Sequence, residues 1–427
     1  MRRLLLLSCL MLAACDGGSA PATVNKDFAM NPLSDINTRL AFTCKHETIP
    51  APSAETDMLF RYARWLQVNN RLKEDRAVDA QTERLYRIAA ANGHYRANIN
   101  LQNGAMRGQF SLTGAEHLRM SQQLIDAGVA TGYYFVAIFL KNGAAGLQQD
   151  TDMALRYYRK AADEGSAQAQ AYIGDKLAPV GMAPDISRQM FRCAAEQDEG
   201  EAAKALGIDL KNRSQHQEAL EAFQLGVAAG DEISAYALEK GFGGPKPTDT
   251  LYYLGQPKDP ERASRYKKIG DILSRYSYRS PSVPEINDIV PLPPAPLPAW
   301  DGKLKWVETY NANTEPPKPG EALIVELAKA KQLNPATGRP LPSSPDFDKN
   351  AAIVLLCKTG EPCPKSGYWQ VARPPREGVS RNAIVMFKEG DIMPADVVDI
   401  YRARPWPLGD KHEQHEQHTD WRFLGEV

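Results

Sequence analysis

One dense group of potential metal ligands stands out in the sequence, the run His-Glu-Gln-His-Glu-Gln-His at residues 412–418. Imidazole nitrogens bind zinc, and on a helix His412, His415 and His418 would share one side. The order differs from the His-Glu-x-x-His motif of zinc proteases, because the second histidine comes one position early. A run this polar favours a solvated loop, and we therefore predict no metal site.

Motifs for catalysis or cofactor binding are missing from the sequence. It contains neither the phosphate-binding G-x-x-x-x-G-K-[ST] nor the nucleophile motif G-x-S-x-G. Fifty-one basic and fifty-two acidic residues give a net charge of −1, which argues against nucleic acid as a partner. The contents of 43% hydrophobic and 24% charged residues are typical of a globular protein. We expect a protein that is not an enzyme and has no cofactor and no small-molecule substrate.

The N-terminal residues MRRLLLLSCLMLAAC combine two arginines, an apolar run and the sequence Leu-Ala-Ala-Cys. This pattern resembles a bacterial lipoprotein signal, with an ordinary signal peptide or a short anchor as the alternative. The resemblance implies a protein attached to a membrane in the Gram-negative periplasm through a diacylated Cys15. Asp16 resembles the residue that retains some lipoproteins at the inner membrane. No later stretch approaches about 20 consecutive apolar residues, so we expect the remainder to be soluble.

Export would place the remaining cysteines, Cys44, Cys193, Cys357 and Cys363, in an oxidising compartment. Their even number suggests two disulfides. The segment Cys-Lys-Thr-Gly-Glu-Pro-Cys contains turn residues that could bring Cys357 and Cys363 together, with two free thiols as the alternative. A bridge between Cys44 and Cys193 follows only by elimination.

A pattern of about 35 residues repeats between the two ends of the chain. Each copy has an amphipathic helix, a turn residue, and a small residue four positions later. Glycine suits such a turn because it adopts the left-handed conformation, and small residues let antiparallel helices approach closely. The turn residues are Gly93, Gly128, Gly165, Asp198 and Gly230, and the small residues are Ala97, Gly132, Ala169, Ala202 and Ser234.

The clearest copy, YYRKAADEGSAQAQAYIG at residues 157–174, resembles the Sel-one-like branch of the tetratricopeptide-type repeats. The resemblance covers roughly residues 79–245 and implies an α/α superhelical solenoid, in which neighbouring units bury each other's apolar faces. An unrelated helical bundle is the alternative. The preceding helix, within residues 55–73, would cap the first unit. The final helix, within residues 259–276, is basic through Arg262, Arg265, Lys267, Lys268 and Arg275, and such a run is more often a solvated face than a binding site.

The rest of the chain has a different composition. Seven prolines between Ser280 and Trp300 predict an extended strap, which Ile289, Val290 and Leu292 could anchor on the solenoid. Beyond it, β-branched and aromatic runs predict a small β-rich domain with strands within residues 303–310, 322–328, 351–357, 367–373, 382–390 and 421–427. We therefore expect a signal peptide over 1–15, an N-terminal segment with the capping helix over 16–78, helical repeats over 79–279, a proline-rich linker over 280–300 and the β-rich domain over 301–427.

Stacked helix pairs are most simply a protein-binding surface. We expect the first helix of each pair to line the concave face, and we assign Tyr133, Tyr134, Tyr172 and Tyr236 to it as candidate partner-binding residues, with core packing as the alternative. The lipoprotein signal, repeats, strap and β-rich end together resemble immunity lipoproteins of type VI secretion loci. The resemblance implies that the protein binds and blocks a secreted phospholipase effector. A periplasmic scaffold for envelope complexes is the main alternative, and a hydrolase hidden in residues 301–427 is a third.

Overall fold

The computed structural model describes residues 41–180, 182–347, 356–372, 379–380, 384–402 and 411–425. The predicted signal sequence and the predicted lipidation site Cys15 lie outside these residues. None of the helices in these ranges is long and apolar enough to span a bilayer.

Helices follow one another in antiparallel pairs from residue 54 to residue 275, which confirms the predicted mainly helical solenoid. They are α1 (Ala54–Asn70), α2 (Arg76–Ala91), α3 (Tyr95–Met106), α4 (Gly114–Asp126), α5 (Thr131–Asn142), α6 (Thr151–Asp163), α7 (Ala167–Leu177), α8 (Pro184–Ala195), α9 (Gly200–Asn212), α10 (His216–Ala229), α11 (Glu232–Phe242) and α12 (Pro260–Arg275).

All five predicted turn residues have a positive φ, from 63° at Asp198 to 111° at Gly165. The small residues four positions later are all buried, and Ala97, Ala169 and Ser234 have no exposed surface. Side chains next to the turns begin the following helices: Ser166 accepts a hydrogen bond from the Ala169 N–H, and Asp231 from the Ser234 N–H. The turn and its cap together fix where one helix ends and the next begins.

An extended N-terminal segment, residues 41–50, crosses several repeats. A disulfide joins Cys44 to Cys193 on α8, which confirms the pairing inferred by elimination. The Glu47 carboxylate accepts a hydrogen bond from the Thr131 N–H at 2.6 Å, at the start of α5. A Cβ atom at position 165 would lie 2.7 Å from the backbone nitrogen of Glu47 and would clash with the N-terminal segment. Glycine is therefore needed at this position both for its positive φ and for the close contact with that segment.

The proline-rich strap packs on the solenoid through a short helix, α13 (Ile286–Ile289), and the predicted anchors Ile289 and Val290 are buried there. Arg262 and Arg265 of α12 are buried as well, so the interpretation of α12 as a solvated basic face is wrong for them. Arg265 Nη1 donates to the Ile289 carbonyl at 2.8 Å, and Arg262 Nη2 donates to the Pro291 carbonyl at 3.3 Å. The two guanidinium groups supply hydrogen-bond donors that a segment rich in proline lacks.

Two of the predicted strands are helices. Residues 303–310 fall largely in α14 (Lys305–Ala312), and residues 322–328 lie within α15 (Glu321–Ala330). In α15, Ile324 and Ala328 are one helical turn apart and are buried in the same core as Leu59 of α1 and Leu85 of α2. Their four-residue spacing is the helical signal, which the β-branched composition of the run obscured.

The strands of the described residues lie between residues 356 and 425. They are β1 (Leu356–Lys358), β2 (Gly367–Val371), β3 (Val379–Ser380), β4 (Ile384–Phe387), β5 (Asp396–Arg402), β6 (Lys411–Gln417) and β7 (Asp420–Gly425). One sheet has the order β1-β7-β2-β4 and the other β3-β5-β6. Trp369 and Trp421 have no exposed surface in the core of the first sheet. The predicted β-rich end is confirmed.

The histidine run is a strand rather than the predicted loop. Residues 411–417 form β6, which pairs antiparallel with β5. Because side chains alternate across a strand, His412 and His415 lie on opposite faces, and His418 follows the end of β6. His412 Nε2 lies 2.8 Å from an Asp399 carboxylate oxygen. The three imidazoles therefore do not converge.

The predicted Cys357–Cys363 disulfide is also wrong, since both cysteines are free and buried. The Cys357 thiol donates to the Pro362 carbonyl at 3.4 Å, whereas the Cys363 thiol donates to the Lys365 carbonyl at 3.1 Å. The two sulfur atoms are held by different carbonyl groups. Burial, followed by the negative charge of Glu361, raises the pKa of the Cys357 thiol, which favours its protonated form.

Candidate functional site

A cavity of about 520 Å³ lies between α1, α3 and the turn that follows α12. Its walls are mostly side-chain amides and charged groups, and Val68 is the sole large apolar residue among the described residues of its lining. The volume suits a ligand or a few side chains of a partner. The polar walls indicate a polar or charged occupant.

Four arginines converge on this cavity from separate parts of the chain. Arg64 belongs to α1, Arg71 follows the end of α1, Arg107 follows α3, and Arg279 lies in the turn Ser277–Arg279 after α12. We call the cavity with these four side chains the arginine pocket. Its lining carboxylates are Glu74 and Asp79, so the positive groups outnumber the negative ones.

The pocket arginines differ from the buried arginines of the same protein. Arg87, Arg159, Arg262 and Arg265 are buried, and each forms an ion pair with a carboxylate. Within the described residues, by contrast, none of the four pocket arginines has a carboxylate within 4.0 Å. Among the described residues, these four guanidinium groups thus form a positively charged group without a carboxylate ion pair.

The pKa shifts in the pocket agree with this concentration of positive charge. Burial, followed by the charges of Arg64 and Arg279, lowers the pKa of Arg71. Burial, followed by Arg71 and Arg64, lowers the pKa of Arg107. Each guanidinium group remains charged at neutral pH because arginine starts from a very high pKa. A bound carboxylate or phosphate would relieve the mutual repulsion.

The inner wall of the pocket is a fixed hydrogen-bond network. The Gln67 carbonyl oxygen accepts from the Tyr86 hydroxyl and from Arg64 Nη1, both at 3.0 Å. Gln67 Nε2 donates to Gln109 at 2.9 Å, and Gln109 Nε2 donates to the Asp79 carboxylate at 2.9 Å. Burial raises the pKa of Tyr86 to about 12, so its hydroxyl stays a donor. The network holds the Arg64 side chain in place and gives the Asp79 carboxylate a hydrogen-bond donor.

The four candidate tyrosines do not form one surface. Tyr134 and Tyr172 both contact Tyr158, with ring centroids 5.7 Å and 4.0 Å away. Tyr133 contacts Tyr157 at 6.4 Å instead, and Tyr236 lies apart on α11, 44% exposed. All four belong to α5, α7 or α11, which are the second helices of the turn-linked pairs rather than the first. The assignment to the first helices was wrong, whereas a contact with a partner stays a prediction.

One further group could be mistaken for a metal site. Among the described residues, Cys44, His46 and Cys193 have ligand atoms within 4.8 Å of one another. Both sulfur atoms are bonded to each other in the disulfide, so they cannot act as thiolate ligands.

Sequence reasoning missed the arginine pocket entirely. Its four arginines are spread over more than two hundred positions, and no motif links them. The available signal was weak: Arg64 and Arg71 are seven positions apart near the end of the predicted capping helix, and Glu74 follows Arg71 by only three positions.

The fold and the pocket together define an α-helical repeat protein with a cavity lined by arginines. Residues 234–341, from α11 to beyond α15, match a family model described as a domain of unknown function, DUF6396. A comparison with curated proteins gives no match.

Several solved structures are similar to this chain. Pseudomonas aeruginosa 5086 (PA5086) is 25% identical with a TM-score of 0.44, and the alignment covers 60% of this chain and 96% of that one. Immunity protein PA5088 from Pseudomonas aeruginosa is 22% identical with a TM-score of 0.45, with coverage of 60% and 95%. A Sel1 repeat protein from Oxalobacter formigenes is 18% identical with a TM-score of 0.38, with coverage of 51% and 87%.

Proposed function

We propose that this protein is a periplasmic immunity lipoprotein that binds a cognate type VI secretion effector, a phospholipase, and blocks it. The observation that carries the proposal is the arginine pocket, where four guanidinium groups on the helical scaffold have no carboxylate within ion-pair distance in the described part of the chain. Such a site is ready to bind an anionic partner without further folding. The immunity role is taken from the sequence resemblance and from the names of proteins to which the chain is similar.

The proposed mechanism is stoichiometric blockade. The protein contributes binding alone, covers the mouth of the effector's active site, and performs no reaction on the substrate. Lipidation of Cys15 would hold it at the membrane where a periplasmic phospholipase acts. The N-terminal signal pattern and the Cys44–Cys193 disulfide both suit an oxidising compartment.

Competition between sibling cells tests this function. A strain without the gene should be killed by siblings that deliver the phospholipase encoded beside it, and the gene supplied on a plasmid should restore survival. The purified protein should bind that effector with one-to-one stoichiometry and abolish its lipase activity. Survival of the deletion strain, together with lipase activity that the protein does not change, would refute the proposal. Co-purification with envelope proteins instead would favour the periplasmic scaffold.

A further inference from the structure

An aromatic cluster lies directly beside the arginine pocket. It consists of Tyr276, Tyr278, Trp306 and Tyr310, contributed by the end of α12, the turn after it and α14. Trp306 and Tyr310 are stacked, with ring centroids 5.4 Å apart and an interplanar angle of 4°. Tyr278 is 39% exposed. The cluster thus offers aromatic surface to the solvent rather than belonging to the core.

Arg279 joins the cluster to the pocket. Its guanidinium carbon lies 5.4 Å from the ring centroids of both Tyr278 and Tyr310. The same side chain lines the pocket, where Nη1 donates to the Val68 carbonyl of α1. Arg279 Nε is buried without a hydrogen-bond partner among the described residues. One side chain therefore belongs to both the cationic and the aromatic part of a continuous surface.

We propose that the arginine pocket and the aromatic cluster form one docking surface for an acidic segment of a partner protein. Aspartate or glutamate side chains of that segment pair with Arg71 and Arg107, and the adjoining part of the segment lies on the aromatic cluster. Arginine, tryptophan and tyrosine are the residue types that carry most binding energy at protein interfaces. The proposed function enters this inference at one point, the identity of the partner as a secreted effector.

The chemistry of the surface favours a polypeptide over an anionic lipid. The planar guanidinium group binds carboxylate and phosphate equally well in geometric terms. A lipid also needs an apolar channel for its acyl chains, and the described lining offers a single large apolar residue, Val68. The exposed ring of Tyr278 and the half-buried rings beside it, by contrast, suit the mixed side chains of a peptide segment.

The test compares two charge-reversed proteins. Arg71→Glu with Arg107→Glu reverses two exposed pocket arginines. The matched control, Arg96→Glu with Arg275→Glu, reverses two exposed arginines outside the pocket lining and changes the net charge equally. The probes are the adjacent-gene effector and a fluorescent hexaglutamate peptide, followed by anisotropy. We expect the pocket variant to bind both probes about 100-fold more weakly and the control to bind within about 3-fold of the natural protein.

A second pair of variants tests the aromatic cluster. Tyr278→Ala should weaken effector binding about 10-fold. Leu251→Ala, which removes an exposed apolar side chain outside the pocket lining and the aromatic cluster, is its control and should leave affinity unchanged. Circular dichroism and melting temperature check that each variant is folded. If Arg71→Glu with Arg107→Glu is not folded, Arg71→Gln with Arg107→Gln takes its place.

The outcomes separate this inference from the proposed function. If the effector binds the natural protein and the pocket variant equally well, the docking surface is wrong while the immunity function stands. If the effector does not bind at all, but hexaglutamate binds in a pocket-dependent manner, the function fails and the docking surface stands. Equal loss in the pocket variant and its control would show unspecific charge attraction and overturn the inference. Tighter binding to phosphatidylglycerol vesicles than to both probes would overturn it in favour of a lipid.

Discussion

Replacement of Cys44 by serine removes the covalent link between the N-terminal segment and α8. Cys44 is exposed, whereas Cys193 is buried on α8. The serine therefore opens the disulfide without leaving a cavity in the core. Any loss of stability then reports the link itself.

The magnitude follows from the length of the closed loop. The two cysteines are 149 positions apart, and the chain-entropy relation gives about 5 kcal/mol for a loop of this length. Hydrogen bonds still hold the segment after the bridge is lost, among them the bond from the Thr131 N–H to Glu47. They do not change the entropy of the unfolded chain, but strain or residual structure commonly reduces the measured effect. We expect a loss of about 3 to 5 kcal/mol in the free energy of unfolding.

Urea unfolding of residues 16–427, with and without dithiothreitol, measures this loss. The natural protein in dithiothreitol should match Cys44→Ser, and dithiothreitol should not destabilise Cys44→Ser further. The denatured, unreduced natural protein should titrate two thiols, Cys357 and Cys363. A loss below about 1 kcal/mol would contradict the chain-entropy reasoning. An absence of free thiols would contradict the reported state of Cys357 and Cys363.

Two further predictions concern the solenoid. Gly230→Ala should destabilise the protein about 2 kcal/mol more than Gly93→Ala in urea unfolding, because a Cβ at Gly230 would lie 1.9 Å from the Pro281 carbonyl oxygen whereas the site of Gly93 is open. Equal losses of unfolding free energy in the two variants would contradict the close contact between the Pro281 carbonyl and the turn at Gly230. Burial lowers the pKa of His117 to about 4 from 6.5, so its neutral form stabilises the fold above pH 6.5 and this contribution declines as the pH falls towards 4. His117→Gln should lose less stability between pH 7 and pH 4.5 than the natural protein, and an identical pH dependence would contradict the assignment.

The helical repeats could be predicted because their signal is local. A turn residue and the small residue four positions later lie in one short stretch, and both requirements come from backbone conformation and close helix packing. The pattern also located the turn at Asp198, where aspartate replaces the usual glycine and adopts a φ of 63°. The burial of Ile289 and Val290 was also accessible, because an apolar run within a proline-rich segment needs a surface to cover it.

Features that depend on distant neighbours could not be predicted in this way. The run at 322–328 has the composition of a strand, but it is a helix because α1 and α2 offer a groove for Ile324 and Ala328. Arg262 and Arg265 resemble solvated charges in the sequence, yet they supply donors to carbonyl groups that lie 24 to 33 positions later. In both cases, the contact that decides the structure is absent from the local sequence.

The arginine pocket extends this argument from the fold to the function. The net charge of −1 argues only against an extended basic surface, and it says nothing about four cations gathered from distant parts of the chain. Gathering them costs free energy of folding, because like charges at close range repel one another. In the described part of the chain, the buried arginines Arg87, Arg159, Arg262 and Arg265 each have a carboxylate partner. An uncompensated group of arginines in such a protein is therefore better explained by an anion that arrives with a partner than by the needs of the fold.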